Sequence, residues 1–383
     1  MTNKTKVAII GGGYISAVHQ EAIARVGGEI VGVLDATPEK SAALGAAVGV
    51  EAYASLEALI DGSADVVHVA SPNHVHAEQA IAVLEAGKHV VCEKPLATSL
   101  TDARRMLRAA QKSGKVNALC FNVRFYPLLH EAREMIRRGD LGPVHLVSGS
   151  YLQDWLLRDT DWNWRLDSSL GGDLRSVADI GSHWLDSMLF VTGLKVSRVM
   201  AHLHTVHPVR NRPAGEVKTF SKEPITERVS ARVTSDDVSL VWLEFENGAL
   251  GSVVVSQASA GRKNDISFEI DGRDGSVAWG SQRPDELWIG HRDEPNQLLR
   301  RDPAMMSERA CSISTFPSGH VEGFPDTFKG LFGKIYADLR AGAPSAEPEY
   351  PTFADGVRGL ELLEAVRRSN ESGTWAAVER GEQ

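Results

Sequence analysis

Val7–Ala22, VAIIGGGYISAVHQEA, is the stretch on which the reading of the chain turns. An uninterrupted apolar run enters Gly11-Gly12-Gly13, and a helical pattern starts directly behind it. So short an apolar run, closed by glycine, predicts a buried strand, and the pattern after it predicts a helix. Read in the spacing G-x-G-x-x-G, the stretch supplies Gly11 and Gly13, with Ser16 in third place. The first glycine permits a tight turn, the second lets the backbone approach a pyrophosphate, and the third position asks only for a small side chain between helix and strand. Past the glycines, around Tyr14 and Ile15, the helix N-terminus presents unpaired N–H groups and the positive end of its dipole. Glycine triplets occur in many turns, so the surroundings decide.

Those surroundings repeat the unit. EIVGVLD (29–35), ADVVHVA (64–70), HVVCEKP (89–95) and VNALCFN (116–122) read as further strands, each too apolar for a half-exposed sheet. Helical patterns fill the gaps between them, several ending near glycine. Alternation of this kind predicts an α/β unit, a Rossmann-type doubly wound parallel sheet over residues 1–123, with ligands bound beyond the carboxyl ends of the strands. Asp35 closes the second strand at the spacing where an acid takes the adenosine ribose hydroxyls. Its charge would repel a 2′-phosphate, so NAD is expected over NADP, with Lys40 the nearby group that argues the other way.

Beyond residue 123 the texture changes. YPLLHEAREMIRRG reads as a helix and GPVHLVSGSYLQDW as a strand running into an aromatic loop. Residues 196–290 then alternate like a meander, with Asn247-Gly248 and Asp274-Gly275 as hairpin turns. Residues 124–383 are therefore expected to form an α+β domain with a large open antiparallel sheet, closed by a helix over 353–368. Composition agrees with two soluble domains: 43% apolar, 24% charged, formal net charge −9. That charge gives nucleic acid or an anionic membrane no electrostatic hold, and no apolar run approaches a membrane span. The first residues enter a strand with no room for a signal peptide. Three widely spaced cysteines suit free thiols. A cytoplasmic protein is expected.

Chemistry concentrates at strand ends. Ser71-Pro72-Asn73-His74, with His76, follows one strand and Glu93-Lys94-Pro95 the next, on the edge where a nicotinamide would sit. A lysine there can steady the oxygen of a hydroxyl being oxidised; the plainer reading is an exposed ion pair worth little. In VADIGSHWLDSMLFVTG, read as a helix, Asp179 and His183 stand at i and i+4 and point the same way. His183 can then accept a hydroxyl proton while Asp179 orients it, with Asp186 in support and Gly181 leaving room for close approach. A buried histidine satisfied by a carboxylate is the plainer alternative.

Together these segments resemble the Gfo/Idh/MocA oxidoreductases: the glycine loop, Ser-Pro-Asn with a following histidine, Glu-Lys-Pro, Asn122 and Arg124 in FNVRFYP, and GGDLRSVADIGSHWLD. The resemblance spans essentially the whole chain. It implies Lys94, Asp179 and His183 as the catalytic trio. It implies NAD contacts from Gly11, Gly13, Tyr14, Ile15, Asp35, Ser71, Asn73, His76, Glu93, Lys94, Asn122 and Arg165. It places Arg124, Tyr151, Gln153, Trp155, Trp164 and His320 with the trio around the substrate, and implies a homodimer or homotetramer built through the sheet.

On the substrate side, Trp155, Trp162, Trp164 and Trp184 are interleaved with polar residues, which suits a sugar's apolar faces and hydroxyl rim. Trp184 also reads as core. His202, His204 and His207 have no carboxylate placed with them, so no metal site is expected. HPVRNRPAGEVK and SAGRKND are locally basic: solvated surface, or a site for an anionic, for instance sulfonated, sugar. The leading expectation is an NAD-dependent dehydrogenase of a sugar, glycoside or cyclitol hydroxyl. One alternative is a redox-neutral glycoside hydrolase working through transient C3 oxidation, with Tyr151, Asp154 or His320 as the base near C2. The other is an NAD-dependent sensor.

Overall fold

The structure, a computed structural model, describes residues 4–215 and 227–381. β1 (Lys6–Ile10), β2 (Glu29–Leu34), β3 (Glu51–Ala52), β4 (Val66–Val69), β5 (His89–Cys92) and β6 (Asn117–Leu119) form a parallel sheet in the order β3-β2-β1-β4-β5-β6. Between them run α1 (Tyr14–Arg25), α2 (Pro38–Val48), α3 (Leu56–Asp61), α4 (His76–Glu85) and α5 (Leu100–Ser113). Strand order reverses between β1 and β4, so a crevice opens beyond their carboxyl ends, where Gly11, Ser71 and Lys94 lie. Most inner strand residues are apolar because both faces are covered, with His68 of β4 a buried polar exception. Val7 and Ile9 pack to one side, Ala8 and Ile10 to the other, and all are 0–2% exposed. Thr37, Ser55 and Ser99 cap their helices by accepting from Lys40, Ala58 and Asp102 N–H groups. β3, two exposed residues long, is too short to leave a pattern, and the sequence did not announce it.

The second half begins with α6 (Pro127–Arg138) and β7 (Val144–Leu152), then α7 (Ser168–Gly171), α8 (Ser182–Thr192), β8 (Val196–His204), β9 (Val209–Pro213) and β10 (Arg228–Arg232). β11 (Val238–Phe245), β12 (Leu250–Ser256), β13 (Asp265–Gly272), β14 (Ser276–Gly280), β15 (Glu286–Gly290) and β16 (Gln297–Arg300) follow. α9 (Glu308–Cys311), α10 (Phe324–Ala341), α11 (Phe353–Ser372) and β17 (Ala376–Ala377) end the described chain. The large sheet runs β16-β15-β14-β13-β7-β12-β11-β8-β17. Its neighbours are antiparallel except β7 and β12, which are parallel, because β7 arrives early in the chain and inserts into the meander. β10, expected within the meander, leaves it and pairs with β9 in a separate ribbon. Gly248 takes a left-handed φ of 85° in the β11–β12 hairpin, as its Asn-Gly turn requires.

α10 was not anticipated. Pro325, Gly330 and Gly333 obscure its period, yet Phe328, Leu331, Phe332, Ile335 and Tyr336 are at most 1% exposed. They pack with Val7, Ile9, Val66 and Val91, so a helix from late in the chain covers one face of the first sheet. α11 packs against α5 and β8, tying the two sheets together. The break near residue 123 thus separates the sheets along the chain, while the packing crosses it.

Candidate active site

Gly11 has φ +104°, and a Cβ on it would stand 2.6 Å from the Ala70 carbonyl oxygen, so the turn from β1 toward α1 accepts only glycine. Gly13 is the N-cap of α1, with no side-chain cap and open space where a Cβ would project. The first turn of α1 carries no acid, so its N–H groups and positive dipole end face the crevice uncompensated. Ser16 is 1% exposed, in the packing role its position predicts. Sequence reasoning passed over Gly12: a Cβ there would lie 2.5 Å from Asp35 Oδ2, so this glycine gives the carboxylate its place. Asp35 Oδ1 accepts the Ala36 N–H at 2.7 Å, and its own N–H donates to Ser41 Oγ at 2.8 Å. A cradle of open N–H groups with an acid at the next strand end fits a dinucleotide carrying free ribose hydroxyls. Tyr14 is half exposed beside the cradle, while Ile15 packs partly into the core.

At the ends of β4 and β5 the side chains lock backbone to backbone. His76 is fully buried, with Nδ1 3.0 Å from the Pro95 carbonyl and Nε2 2.9 Å from that of Ser71, so it ties the two strand ends together. Ser71 Oγ donates to Gln79, and the Lys94–Pro95 peptide is cis. Glu93 is 6% exposed; one carboxylate oxygen lies 3.0 Å from His19 Nε2, and the other accepts the Lys94 N–H at 3.1 Å. Behind it, His19 Nδ1 is 3.0 Å from His68 Nδ1, and Tyr336 Oη is 3.1 Å from His68 Nε2. One direction of donation fits the contacts: Tyr336 donates to His68, His68 to His19, and His19 Nε2–H to Glu93. Burial holds the His68 ring well below its ordinary pKa, in agreement. His19, Glu93 and Cys120 also bring three metal-ligating atoms within 4.8 Å, a grouping to which the spacing of His202, His204 and His207 gave no pointer.

Lys94 Nζ donates to the Asp179 backbone carbonyl and to Asp179 Oδ1, both at 2.9 Å. The same Oδ1 lies 3.2 Å from Arg165 Nε, and Gln257 Nε2 donates to Oδ2 at 2.8 Å. Burial opposes ionisation of Asp179, but Lys94 and Arg165 outweigh it and hold the carboxyl well below its usual range. Arg165 lies across the Trp164 ring, 4.4 Å from its centroid, and Asn73, Arg165 and Asp179 line one small cavity. His183 is 6% exposed, with Phe121 edge-on at 5.6 Å and the Tyr151 ring at 6.4 Å. Its Nδ1 is buried without a partner among the described residues. Burial, and then the charge of Lys94, push its pKa down to about 3, so the ring is neutral at pH 7.

Three expectations are corrected here. Asp179 orients Lys94, and no hydrogen bond joins it to His183. The segment is not a plain α-helix: Val177–Gly181 forms a π-turn before α8, which changes the stagger on which the i, i+4 argument rested. Gly181, expected to open the backbone to a ligand, packs instead, since a Cβ there would stand 3.2 Å from both Val177 and Val255 side chains. Asp186 supports Arg124 rather than His183, through contacts of 2.6 and 2.5 Å.

The remaining candidates divide. Tyr151 Oη donates to Asn264 Oδ1 at 2.7 Å, as does Gln153 Nε2, and Trp155 Nε1 donates to Gln153 Oε1 at 2.7 Å. Of these, the Tyr151 ring stands beside His183. Arg124 is drawn away, between Asp186 and Asp355, and Asn122 Nδ2 donates to Thr327 Oγ1 at 2.8 Å. His320 lies on an exposed loop, its ring reaching only its neighbour's carbonyl, Ser318 O, at 3.3 Å. Trp155 and Trp162 pack partly against Leu156, Leu166 and Val233, and Trp184 is fully buried. Of the basic residues, Arg210 is fully buried against Asp237 and the carbonyls of Leu156, Arg158 and Asp161. Lys263 pairs with Asp154 at 2.7 Å, and Arg212 lies over Trp162. Residues 216–218 of that loop lie outside the described residues.

Comparison with known proteins bears on the family and the fold. Residues 5–121 match the model of an oxidoreductase family with an NAD-binding Rossmann fold, and residues 129–278 match a GFO/IDH/MocA C-terminal domain. The chain is 33% identical to levoglucosan dehydrogenase of Pseudarthrobacter phenanthrenivorans, covering 97% of both chains. It is 30% identical to D-glucoside 3-dehydrogenase of Escherichia coli, over 84% of this chain and 88% of that one. Among solved structures, levoglucosan dehydrogenase in complex with NADH and levoglucosan superposes with a TM-score of 0.87 at 28% identity, covering 99% of this chain and 100% of that one.

Proposed function

The chain belongs to the Gfo/Idh/MocA family of NAD-dependent oxidoreductases, and on that footing we propose that it oxidises a secondary ring hydroxyl of an uncharged sugar or glycoside, with Lys94 and His183 acting on the hydroxyl. The observation that carries this reading is the Lys94 ammonium, fixed by two contacts to Asp179 beside a neutral, buried His183. Two of the three ammonium protons are committed to Asp179, which leaves one for a substrate oxygen. A charged donor there stabilises negative charge as it grows on that oxygen. His183 takes the hydroxyl proton at Nε2, and the burial that keeps the ring neutral makes it release the proton again readily. Bound NAD supplies the hydride acceptor.

The relatives' names direct attention to levoglucosan and glucosides. The polar edge of Tyr151, Gln153 and Asn264 suits hydroxyls, and the commitment of Arg210 and Lys263 to carboxylates argues against an anionic substrate. A screen following NADH formation on levoglucosan, methyl glucosides and sugar phosphates tests the reading. Turnover confined to the charged sugars would refute it.

Assembly as a homodimer or homotetramer through the sheet is part of the same proposal. The outer sheet face exposes Leu146, Leu240, Trp242, Leu250 and Val254, with Leu250 beside Leu146 and Leu240 beside Val254. Trp242→Glu should lower the mass found by sedimentation. Location in a reducing cytoplasm is supported by the free thiols of Cys92, Cys120 and Cys311. Among the described residues no helix is long and apolar enough to cross a membrane.

A further inference from the structure

Behind Asp179 lies a polar cluster that the proposed chemistry does not use. Arg175 and Arg210, 2% and 0% exposed, share the carboxylate of Asp237, which is itself 0% exposed. Asp236, 3% exposed, adds a second carboxylate beside them, accepting the Arg175 backbone N–H at 2.7 Å, and buried charges of this kind persist only where each polar group is met. Gln257, also 0% exposed, stands in the gap. Its Oε1 accepts from Arg175 Nη1 at 2.9 Å, and its Nε2 donates to Asp179 Oδ2 at 2.8 Å. Arg175 offers only donors and Asp179 only acceptors, so the amide has one permitted orientation. Its dipole therefore points from the Arg175 guanidinium to the carboxylate that holds Lys94.

The backbone of the same residue reaches the substrate side. The Gln257 carbonyl accepts the Leu156 N–H at 3.2 Å, and its N–H donates to the Asp237 carbonyl at 3.0 Å. Arg210, from the other side of Asp237, donates to the carbonyls of Leu156, Arg158 and Asp161 in the tryptophan-bearing loop. One unbroken set of contacts thus runs from that loop to the lysine ammonium.

We propose that Gln257 is a positioning residue for Lys94. Through Asp179 it fixes where the ammonium points, and the buried Arg175–Asp237–Arg210 cluster links that placement to the conformation of the substrate loop. This rests on the reading of Lys94 as the group that meets the substrate oxygen.

Gln257→Glu and Gln257→Leu test it, with Lys94→Ala alongside. Glutamate keeps an acceptor for Arg175 but sets a second carboxylate against Asp179, so the Asp179 pKa rises. We expect kcat to fall ~10- to 100-fold in both Gln257 variants, with NAD affinity within ~2-fold of the parent. Gln257→Glu should in addition acquire an acid limb in its kcat profile, activity being lost as pH falls through a range where the parent is flat. A merely structural role would lower thermal stability and leave the profile flat, and that result overturns the proposal, as does failure of both variants to fold. An active Lys94→Ala enzyme would instead sink the reading of Lys94 itself. An inactive Lys94→Ala beside a parent-like Gln257→Glu would sink only the role of Gln257.

Discussion

The ammonium of Lys94 meets Asp179 twice, at its carboxylate and at its backbone carbonyl, each at 2.9 Å. The carbonyl contact makes Asp179 more than a counter-ion: it sets direction as well as charge. Asp179→Asn keeps the carbonyl contact and loses the charge, so it should leave NAD binding intact and lower kcat on the order of 10-fold or more. Lys94→Ala removes the donor altogether and should cost on the order of 100-fold or more. Steady-state kinetics beside NAD titration separate the two. Equal losses in both variants would show that the charge of Asp179 carries the whole effect.

Much of this was legible in the sequence, and the failures have definite causes. The parallel sheet showed itself because β1, β4 and β5 are apolar on both faces, which helices alone can cover. Lys94, Asp179 and His183 were legible as residues. Their pairing was not, because a π-turn inserted at Val177–Gly181 leaves no mark in local composition. Gln257, His19 and His68 escaped for another reason. Each acquires its meaning from a partner at least 49 positions away in the chain, and no periodicity reports that. Arg124 misled because an arginine beside the predicted crevice looks available, whereas the fold spends it on Asp186 and Asp355.

Buried neutral histidines should govern acid stability. Burial lowers the pKa of His68, His130 and His183, to about 3 for the last two. Below about pH 6.5 the unfolded chain binds protons that the folded rings refuse, so stability falls as pH falls, by up to ~1.4 kcal/mol per pH unit for each ring. Thermal melts should show Tm dropping between pH 7 and pH 5. His130 has neither ring nitrogen hydrogen-bonded and packs against Phe125 and Phe190. His130→Leu should therefore stabilise the protein by about 1–3 kcal/mol and make the acid slope shallower. A destabilised variant with an unchanged slope would contradict this account.

Cofactor preference should follow Asp35. Its carboxylate occupies the space that Gly12 leaves free, at the end of β2, and Ala36 beside it is exposed. Replacing Asp35 by Ser and Ala36 by Arg removes a repulsive charge and adds a phosphate partner, which should move preference toward NADP. Fluorescence titration with NADH and NADPH reads the change. A parent enzyme that already binds NADPH more tightly would defeat the argument.

Oxidation with release of NADH and redox-neutral glycoside cleavage share the first hydride step, so Lys94 and His183 do not distinguish them. Cleavage needs in addition a base able to remove the acidified proton at C2. The three groups with that potential are poorly armed. Burial pushes the Tyr151 hydroxyl above its ordinary pKa, and that hydroxyl is already donated to Asn264. Asp154 has its carboxylate occupied, since Oδ2 accepts from Lys263 Nζ at 2.7 Å and from the Gly261 N–H at 3.1 Å. His320 stands on an exposed loop and its ring contacts only Ser318. With these three groups unfit to remove the C2 proton, the expected course is that the ketone formed on the ring leaves as product. An aryl glucoside incubated with enzyme and excess NAD should therefore yield one NADH for each sugar oxidised and no free aglycone. Stoichiometric aglycone release on catalytic NAD, without NADH accumulating, would reverse that conclusion and require a base that none of these three residues supplies.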